Sequence, residues 1–235
     1  MLQNYDTILF DADRTLFDTA AGEKAALRAV MKTIKQPFSE DMPQVYTQIN
    51  EALWKKLELG QLSFSHVQKE RWRKFQEAFG LTGNPMQFNQ MYLAFFSQCH
   101  FLMPHAEEVC KALCRRKKLY IITNGTSRVQ RERFANSKIS ACFLDFFISE
   151  DIGIPKPQWG FFYYVLTHIK LSKTNRVLIV GDSLSSDIQG GNNAKIDTCW
   201  YNPEGLENES GAVPTYEIHD LMELLQTPQP EGTEE

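Results

Sequence analysis

Four short apolar runs, Thr7–Phe10, Leu119–Ile122, Phe146–Ile148 and Val177–Val180, with a shorter fifth at Thr198–Trp200, constrain this chain more than any other feature. They lack the length of buried helices and the polar alternation of half-wet strands, so they read as parallel strands covered on both faces. Between the later runs lie helical patterns at Ser127–Asn136, Trp159–Ile169 and Leu184–Ala194. Strand alternating with helix implies an α/β fold, a doubly wound, Rossmann-like parallel sheet with right-handed crossovers.

The first interval breaks that rhythm. More than a hundred residues separate Phe10 from Leu119, and those from about Ala20 to His100 carry helical patterns throughout: AAGEKAALRAVMKTIK, MPQVYTQINEALWKKLELG, SFSHVQKERWRKFQEAFG and a fourth helix opening at Asn84-Pro85. An Asn cap followed by Pro opens a helix, and Gly60 and Gly80 stand where helices end. The expected organisation is a core of residues 1–17 and 101–226, an inserted all-helical cap domain of residues 18–100, and a disordered Pro-, Gly- and Glu-rich tail at 227–235.

The 235 residues carry 25 Lys and Arg against 29 Asp and Glu, a formal net charge of −4. That balance gives no footprint for a nucleic-acid polymer or an anionic membrane, and no apolar segment approaches the roughly 18 residues of a membrane span. The expected partner is a small molecule, bound by a monomer or weak homodimer. Cys99, Cys110, Cys114, Cys142 and Cys199 are odd in number and irregular in spacing, and the opening MLQNYDTILF has no leader character, which predicts a reduced, cytoplasmic chain. Cys110 and Cys114 stand one helical turn apart, but no Cys/His quartet completes a metal site, so core packing is their expected role.

Ligands of open α/β sheets bind beyond the carboxyl ends of the strands. Here Asp11 and Asp13 follow the first run, Thr123-Asn124-Gly125 the second, Lys156 lies in the loop after the third, and Gly181-Asp182-Ser183 with Asp187 follows the fourth. Asp11 and Asp13, two residues apart in extended chain, face the same space. If Asp182 joins them, each carboxylate pair ~4 Å apart costs about 4 kcal/mol at an effective dielectric near 20. Such a cluster needs a cation, and hard oxygen ligands that leave room for waters and a phosphate suit Mg²⁺. The Thr123 hydroxyl, the backbone N–H groups of Asn124 and Gly125, and Lys156 are donors suited to a phosphoryl group. One aspartate can attack phosphorus while its neighbour works as acid and then base.

These residues resemble the haloacid dehalogenase-like superfamily of phosphohydrolases, over about Tyr5 to Asn202. DADRT matches the first motif with Asp11, Asp13 and Thr15; LYIITNG matches the second with Thr123; GIPKP matches the third with Lys156; GDSLSSD matches the fourth with Asp182 and Asp187. The resemblance implies Asp11 as the nucleophile that forms an aspartyl phosphate, and Asp13 as the acid for the leaving oxygen and then the base for water. Thr123 and Lys156 would hold the phosphoryl group. Asp11, the backbone carbonyl of Asp13, and Asp182 would bind Mg²⁺, with Asp187 a ligand through water or an orienter. The presence of Asp13 implies a phosphatase, since dehalogenating members lack a second acid there.

A narrower resemblance is to the pyrimidine 5′-nucleotidase branch, carried by DADRTLFD, INEALWKKLELGQLSFSHVQKERW, ITNGTSRVQRERF, ISEDIGIPKPQWGFF, VGDSLSSDIQGGNNA and CWYNP. It implies nucleoside monophosphates such as UMP, dUMP and dTMP as substrates. Arg14 departs from that branch, whose members usually carry Glu or Gly there; a cation at this place is expected either to weaken Mg²⁺ binding or to attract an anionic substrate. In the cap, Trp54 and Trp72 are candidates to stack on a base, and Asn50 and Arg71 to bond its edge, although aromatics at helical spacing also serve packing. His66 and His105 are expected to be structural. Alternative activities are a sugar-phosphate phosphatase or phosphomutase, or a protein that binds a phosphorylated ligand without turning it over.

Overall fold

The computed structural model describes residues 2–171 and 176–226; the tail expected to be disordered lies outside the described residues. Six strands, β1 (Thr7–Phe10), β2 (Lys118–Thr123), β3 (Asp145–Ile148), β4 (Val177–Gly181), β5 (Asp197–Tyr201) and β6 (Tyr216–Ile218), form one sheet in the order β3-β2-β1-β4-β5-β6. Every pairing is parallel. The order reverses direction around β1, which places the switch point of the doubly wound sheet where the first strand ends. β1 and β4 are buried along their whole length, as parallel strands covered on both faces must be.

Four of the helices between β1 and β2 precede Phe101: α1 (Thr19–Thr33), α2 (Met42–Glu58), α3 (Phe64–Phe79) and α4 (Pro85–Phe96). Their ends follow the local chemistry. The side chains of Asp18, Ser63 and Asn84 accept from backbone N–H groups of the first turns of α1, α3 and α4, and Gly80 closes α3 in the left-handed conformation at φ +62°. These helices pack around their own aromatic core of Tyr46, Trp72, Phe75, Phe88 and Tyr92. Trp72 is fully buried there, 5.3 Å from Phe75 and 5.4 Å from Phe88 by ring centroid. It packs the helical core and does not offer a face to a base.

The chain enters and leaves the helical insert by two segments that run side by side. Phe17 bridges Leu102 antiparallel, the Asp18 N–H donates to the Phe101 carbonyl at 3.0 Å, and the Met103 N–H donates to the Leu16 carbonyl at 2.9 Å.

The core's helices are α5 (Ala106–Leu113), α6 (Ser127–Ala135), α7 (Ser149–Ile152), α8 (Trp159–His168) and α9 (Gln189–Ala194). Cys110 is buried in the core around β1, and no described helix is long and apolar enough to cross a membrane. Two elements depart from the sequence expectation. The helix expected over Leu184–Ala194 begins as a π-helical turn at Leu184–Ile188 and becomes α-helical only at Gln189. The sixth strand, YEI, is three residues long with Glu217 exposed, too short to give a pattern.

Candidate active site

Register assembles the site. Phe10 pairs with Ile121 of β2 on one side and with Val180 of β4 on the other. The residues that come next therefore leave the sheet together, and the Asp11 N–H still donates to the Val180 carbonyl at 2.9 Å.

Carboxylate oxygens of Asp11, Asp182 and Asp187 lie within 4.8 Å of one another. Lys156, itself fully buried, reaches into this cluster: its Nζ donates to Asp11 Oδ1 at 2.7 Å, to Asp187 Oδ1 at 2.7 Å and to the Ile122 carbonyl at 3.0 Å. All three ammonium protons are thus used. Burial alone would depress this ammonium, but the two carboxylates outweigh it and hold its pKa well above the ordinary lysine range. Burial raises Asp11 far above the usual carboxylate range, with Lys156 opposing and Asp187, Asp182 and Asp13 adding to the rise. Asp182 is pushed up to about 7, first by burial and then by Asp187, against the pull of Arg14 and Lys156. Thr15 and Asp182 hold each other, the Thr15 hydroxyl donating to Asp182 Oδ1 and accepting from the Asp182 N–H. Asp187 is fixed by the Ser183 N–H as well as by Lys156. Fully ionised, the three carboxylates and one ammonium carry two negative charges in excess, and every ligand atom is a hard oxygen, which fits a divalent ion of the Mg²⁺ type.

The donors expected to hold phosphate behave differently from one another. Thr123 is buried, and its Oγ1 accepts from the Gly125 N–H at 3.0 Å and from Gln130 Nε2 at 3.2 Å. Its own proton is left for a ligand. Asn124 faces the loop of Lys156, its Oδ1 accepting from the Lys156 N–H and its Nδ2 donating to the Lys156 carbonyl. It thereby fixes the loop that carries the ammonium. At Gly125 a Cβ would stand 2.2 Å from Gln130 Nε2, so only glycine lets Gln130 lie across this turn.

Asp13 lines the same cleft as Asp11, but its carboxylate is outside the three-carboxylate cluster. Its Oδ1 accepts from Arg133 Nη1 and from the Thr19 hydroxyl, and its Oδ2 from Gln130 Nε2. Burial would raise this carboxyl, but the charge of Arg133 and the hydrogen bonds from Arg133, Thr19 and Gln130 outweigh burial and hold it below its ordinary range.

The cleft has a volume of about 520 Å³ and runs from the carboxylate cluster to the helical insert, where Glu23, Asn50, Trp54, Arg71 and Tyr92 line it. Three of these form a relay in which Glu23 and Arg71 are buried and Asn50 is half-buried: Asn50 Nδ2 donates to Glu23 Oε1, and Arg71 Nη1 donates to Asn50 Oδ1. Thr47 donates to Glu23 Oε2, and Arg71 Nη2 donates to Asn89 Oδ1. Trp54 packs edge-on against Phe64 with one side toward the cleft. Arg14, in the left-handed conformation at φ +63°, reaches from the first motif to Glu51 of α2. His66 and His105 are outside the cleft lining; His66 bonds the Ser63 cap and His105 pairs with Asp220 at 2.8 Å.

A family model described as haloacid dehalogenase-like hydrolase matches residues 5–195. The chain belongs to the haloacid dehalogenase-like hydrolases. It is 37% identical to the HAD-hydrolase YfnB of Bacillus subtilis, over 95% of each chain. It is 36% identical to the pyrimidine 5′-nucleotidase PynA of Streptococcus pneumoniae, over 94% of each, and 32% identical to the pyrimidine 5′-nucleotidase YjjG of Escherichia coli, over 94% of this chain and 97% of that one. A crystal structure of YfnB bound to magnesium superposes with a TM-score of 0.89, covering 94% of this chain and 97% of the other. The expected class, a phosphoric monoester hydrolase, is the one this family and these names support.

Three residues of this haloacid dehalogenase-like site go beyond the sequence reading: Glu23, Gln130 and Arg133. A signal for the last two exists. α6 has only Val129 and Phe134 as apolar residues on its buried face, and helical spacing puts Gln130 and Arg133 on that face beside them. A buried helix face built half from polar residues needs partners for them, and Asp13 is that partner.

Proposed function

We propose that this chain is a Mg²⁺-dependent 5′-nucleotidase that removes phosphate from pyrimidine nucleoside monophosphates. The observation that carries the reading is the continuity of the cleft. One end holds a carboxylate cluster suited to phosphoryl chemistry, and the other, within the same 520 Å³, holds a part-buried set of donors and one acceptor on Glu23, Asn50 and Arg71. The two relatives named pyrimidine 5′-nucleotidase add support.

Asp11 Oδ attacks phosphorus, the bond to the sugar oxygen breaks, and that oxygen takes a proton from Asp13, which is held ionised in the free site and takes up that proton from solvent when the dianionic phosphate binds beside it. Water then attacks the aspartyl phosphate, giving its proton to Asp13 and releasing inorganic phosphate and the free Asp11 carboxylate. The carboxylates of Asp11 and Asp182 and the backbone carbonyl of Asp13 would hold Mg²⁺, with Asp187 beside them, and the ion would supply positive charge to the phosphoryl oxygens. The Thr123 hydroxyl donates to the phosphoryl group, and Lys156 keeps Asp11 and Asp187 at a fixed separation while offsetting their repulsion. The helical insert covers the cleft and excludes water, with Trp54 a surface for the base and Asn50 and Arg71 donors to its edge.

The test is phosphate release from UMP, dUMP, dTMP, CMP, AMP, GMP and common sugar phosphates, with Mg²⁺ or with chelator. The reading predicts chelator-sensitive turnover concentrated on the pyrimidine monophosphates. Turnover confined to sugar phosphates would contradict the substrate class and leave the chemistry standing.

A further inference from the structure

Arg133 is fully buried, and the chemistry proposed above gives it no task. Its surroundings are unusual for a structural arginine. Nη1 donates to Asp13 Oδ1 and to Gln130 Oε1, and Nε donates to the Cys99 carbonyl at 2.9 Å. The guanidinium lies between two aromatic faces, with Cζ 4.3 Å from the Phe17 ring centroid and 4.5 Å from that of Phe96. Phe17 belongs to the segment that enters the helical insert, Phe96 is the last residue of α4, and Cys99 follows it on the way out. One cation therefore touches both crossings and the carboxylate of Asp13.

We propose that Arg133 is a positioning residue that holds the Asp13 carboxylate in the orientation needed to protonate the leaving oxygen, with the two crossings as its anchor. This rests on the reading of Asp13 as the general acid. The second arm of the clamp is Gln130, which ties Asp13 Oδ2 to the Thr123 hydroxyl through one amide. Asp13 is thus located relative to both the phosphate-facing hydroxyl and the two crossings. An acid must stand within hydrogen-bond reach of the atom it protonates, and small misplacements of a catalytic group cost large factors in rate.

The experiment separates leaving groups. Single-turnover rapid-quench measurement of alcohol product, with enzyme in excess over ester, reports the initial transfer alone. It is made with Mg²⁺ on p-nitrophenyl phosphate, whose leaving group needs little protonation, and on UMP or whichever alkyl phosphate the wild type turns over. General acid catalysis contributes roughly 10²–10⁴-fold; Asp13→Asn should therefore lose about that on the alkyl ester and far less on the aryl ester. Arg133→Lys and Arg133→Gln should show the same split in part, on the order of 10- to 100-fold on the alkyl ester and under about threefold on the aryl ester. The ratio of the two rates does not depend on how much of a variant is folded, and Gln130→Met tests the same clamp should both Arg133 variants fail to accumulate. Equal losses on both esters in the clamp variants, with Asp13→Asn still splitting them, would overturn the role of Arg133 alone. No split in Asp13→Asn would overturn the acid reading and this inference with it.

Discussion

The ammonium of Lys156 lies 2.7 Å from Asp11 Oδ1 in a pocket where both side chains are nearly closed to water. Removing one partner of such a pair leaves a buried charge without compensation, which costs about 3–5 kcal/mol. Lys156→Met is predicted to lose that much in urea unfolding and to release phosphate at least 100-fold more slowly. Added Mg²⁺ should recover part of the lost stability, because it places positive charge among the same carboxylates. A variant as stable as the wild type without metal would contradict this account of the cluster.

Burial raises the carboxyl of Glu23 above its ordinary range by more than the Thr47 bond and the charges of Arg14 and Arg71 lower it. A group with a raised folded pKa stabilises the fold fully only below its unfolded value and loses that contribution as pH rises through the folded value. Glu23→Gln carries no such ionisation. Its stability relative to the wild type is predicted to be greater at pH 8 than at pH 4 in chemical denaturation. A difference that does not change with pH would sink the argument.

Arg14 and Glu51 join the first motif to α2, yet both side chains are about half exposed. Pairs in that setting are worth about 1 kcal/mol or less, so Glu51→Gln should unfold within ~1 kcal/mol of the wild type. The effect should fall on closure instead. KM for the nucleotide is predicted to rise a few-fold, and added salt should raise KM in the wild type more steeply than in the variant. Matching salt profiles would show that this pair does not act on binding.

If Glu23 is the acceptor at the base edge and Asn50 and Arg71 its donors, the edge they match is a carbonyl, an N–H and a carbonyl in a row. UMP offers that edge, CMP does not, and 3-methyl-UMP keeps both carbonyls but carries N–CH3 in place of the N–H. The predicted order in kcat/KM is UMP above both others, by a factor of roughly 10 or more, because an unmet buried polar group costs about 1–3 kcal/mol. Equal values for UMP and 3-methyl-UMP would rule out Glu23 as the acceptor.

The parallel strands were legible because burial on both faces makes them continuously apolar, as in TILF and VLIV. The polar residues at their ends were legible because strand ends are where such sheets present groups to ligands. What local pattern cannot supply is pairing across distance. Lys156 meets Asp11 from 145 residues away and Asp187 from 31, so its place among the carboxylates, with all three protons engaged, depends on the register of the sheet. Trp72 shows the same limit: its helical spacing suited both a cleft and a core, and only the arrangement of the four helices settles it in the core. Arg133 was hidden because a charged residue on a short polar helix reads as solvated until its face is known.

The most direct test of the central claim is phosphate release from UMP by the purified chain with Mg²⁺, with chelator, and with Asp11→Asn in place of the wild type. The account predicts turnover that chelator abolishes and that Asp11→Asn lacks. Turnover that persists in Asp11→Asn, or that ignores the chelator, would contradict it.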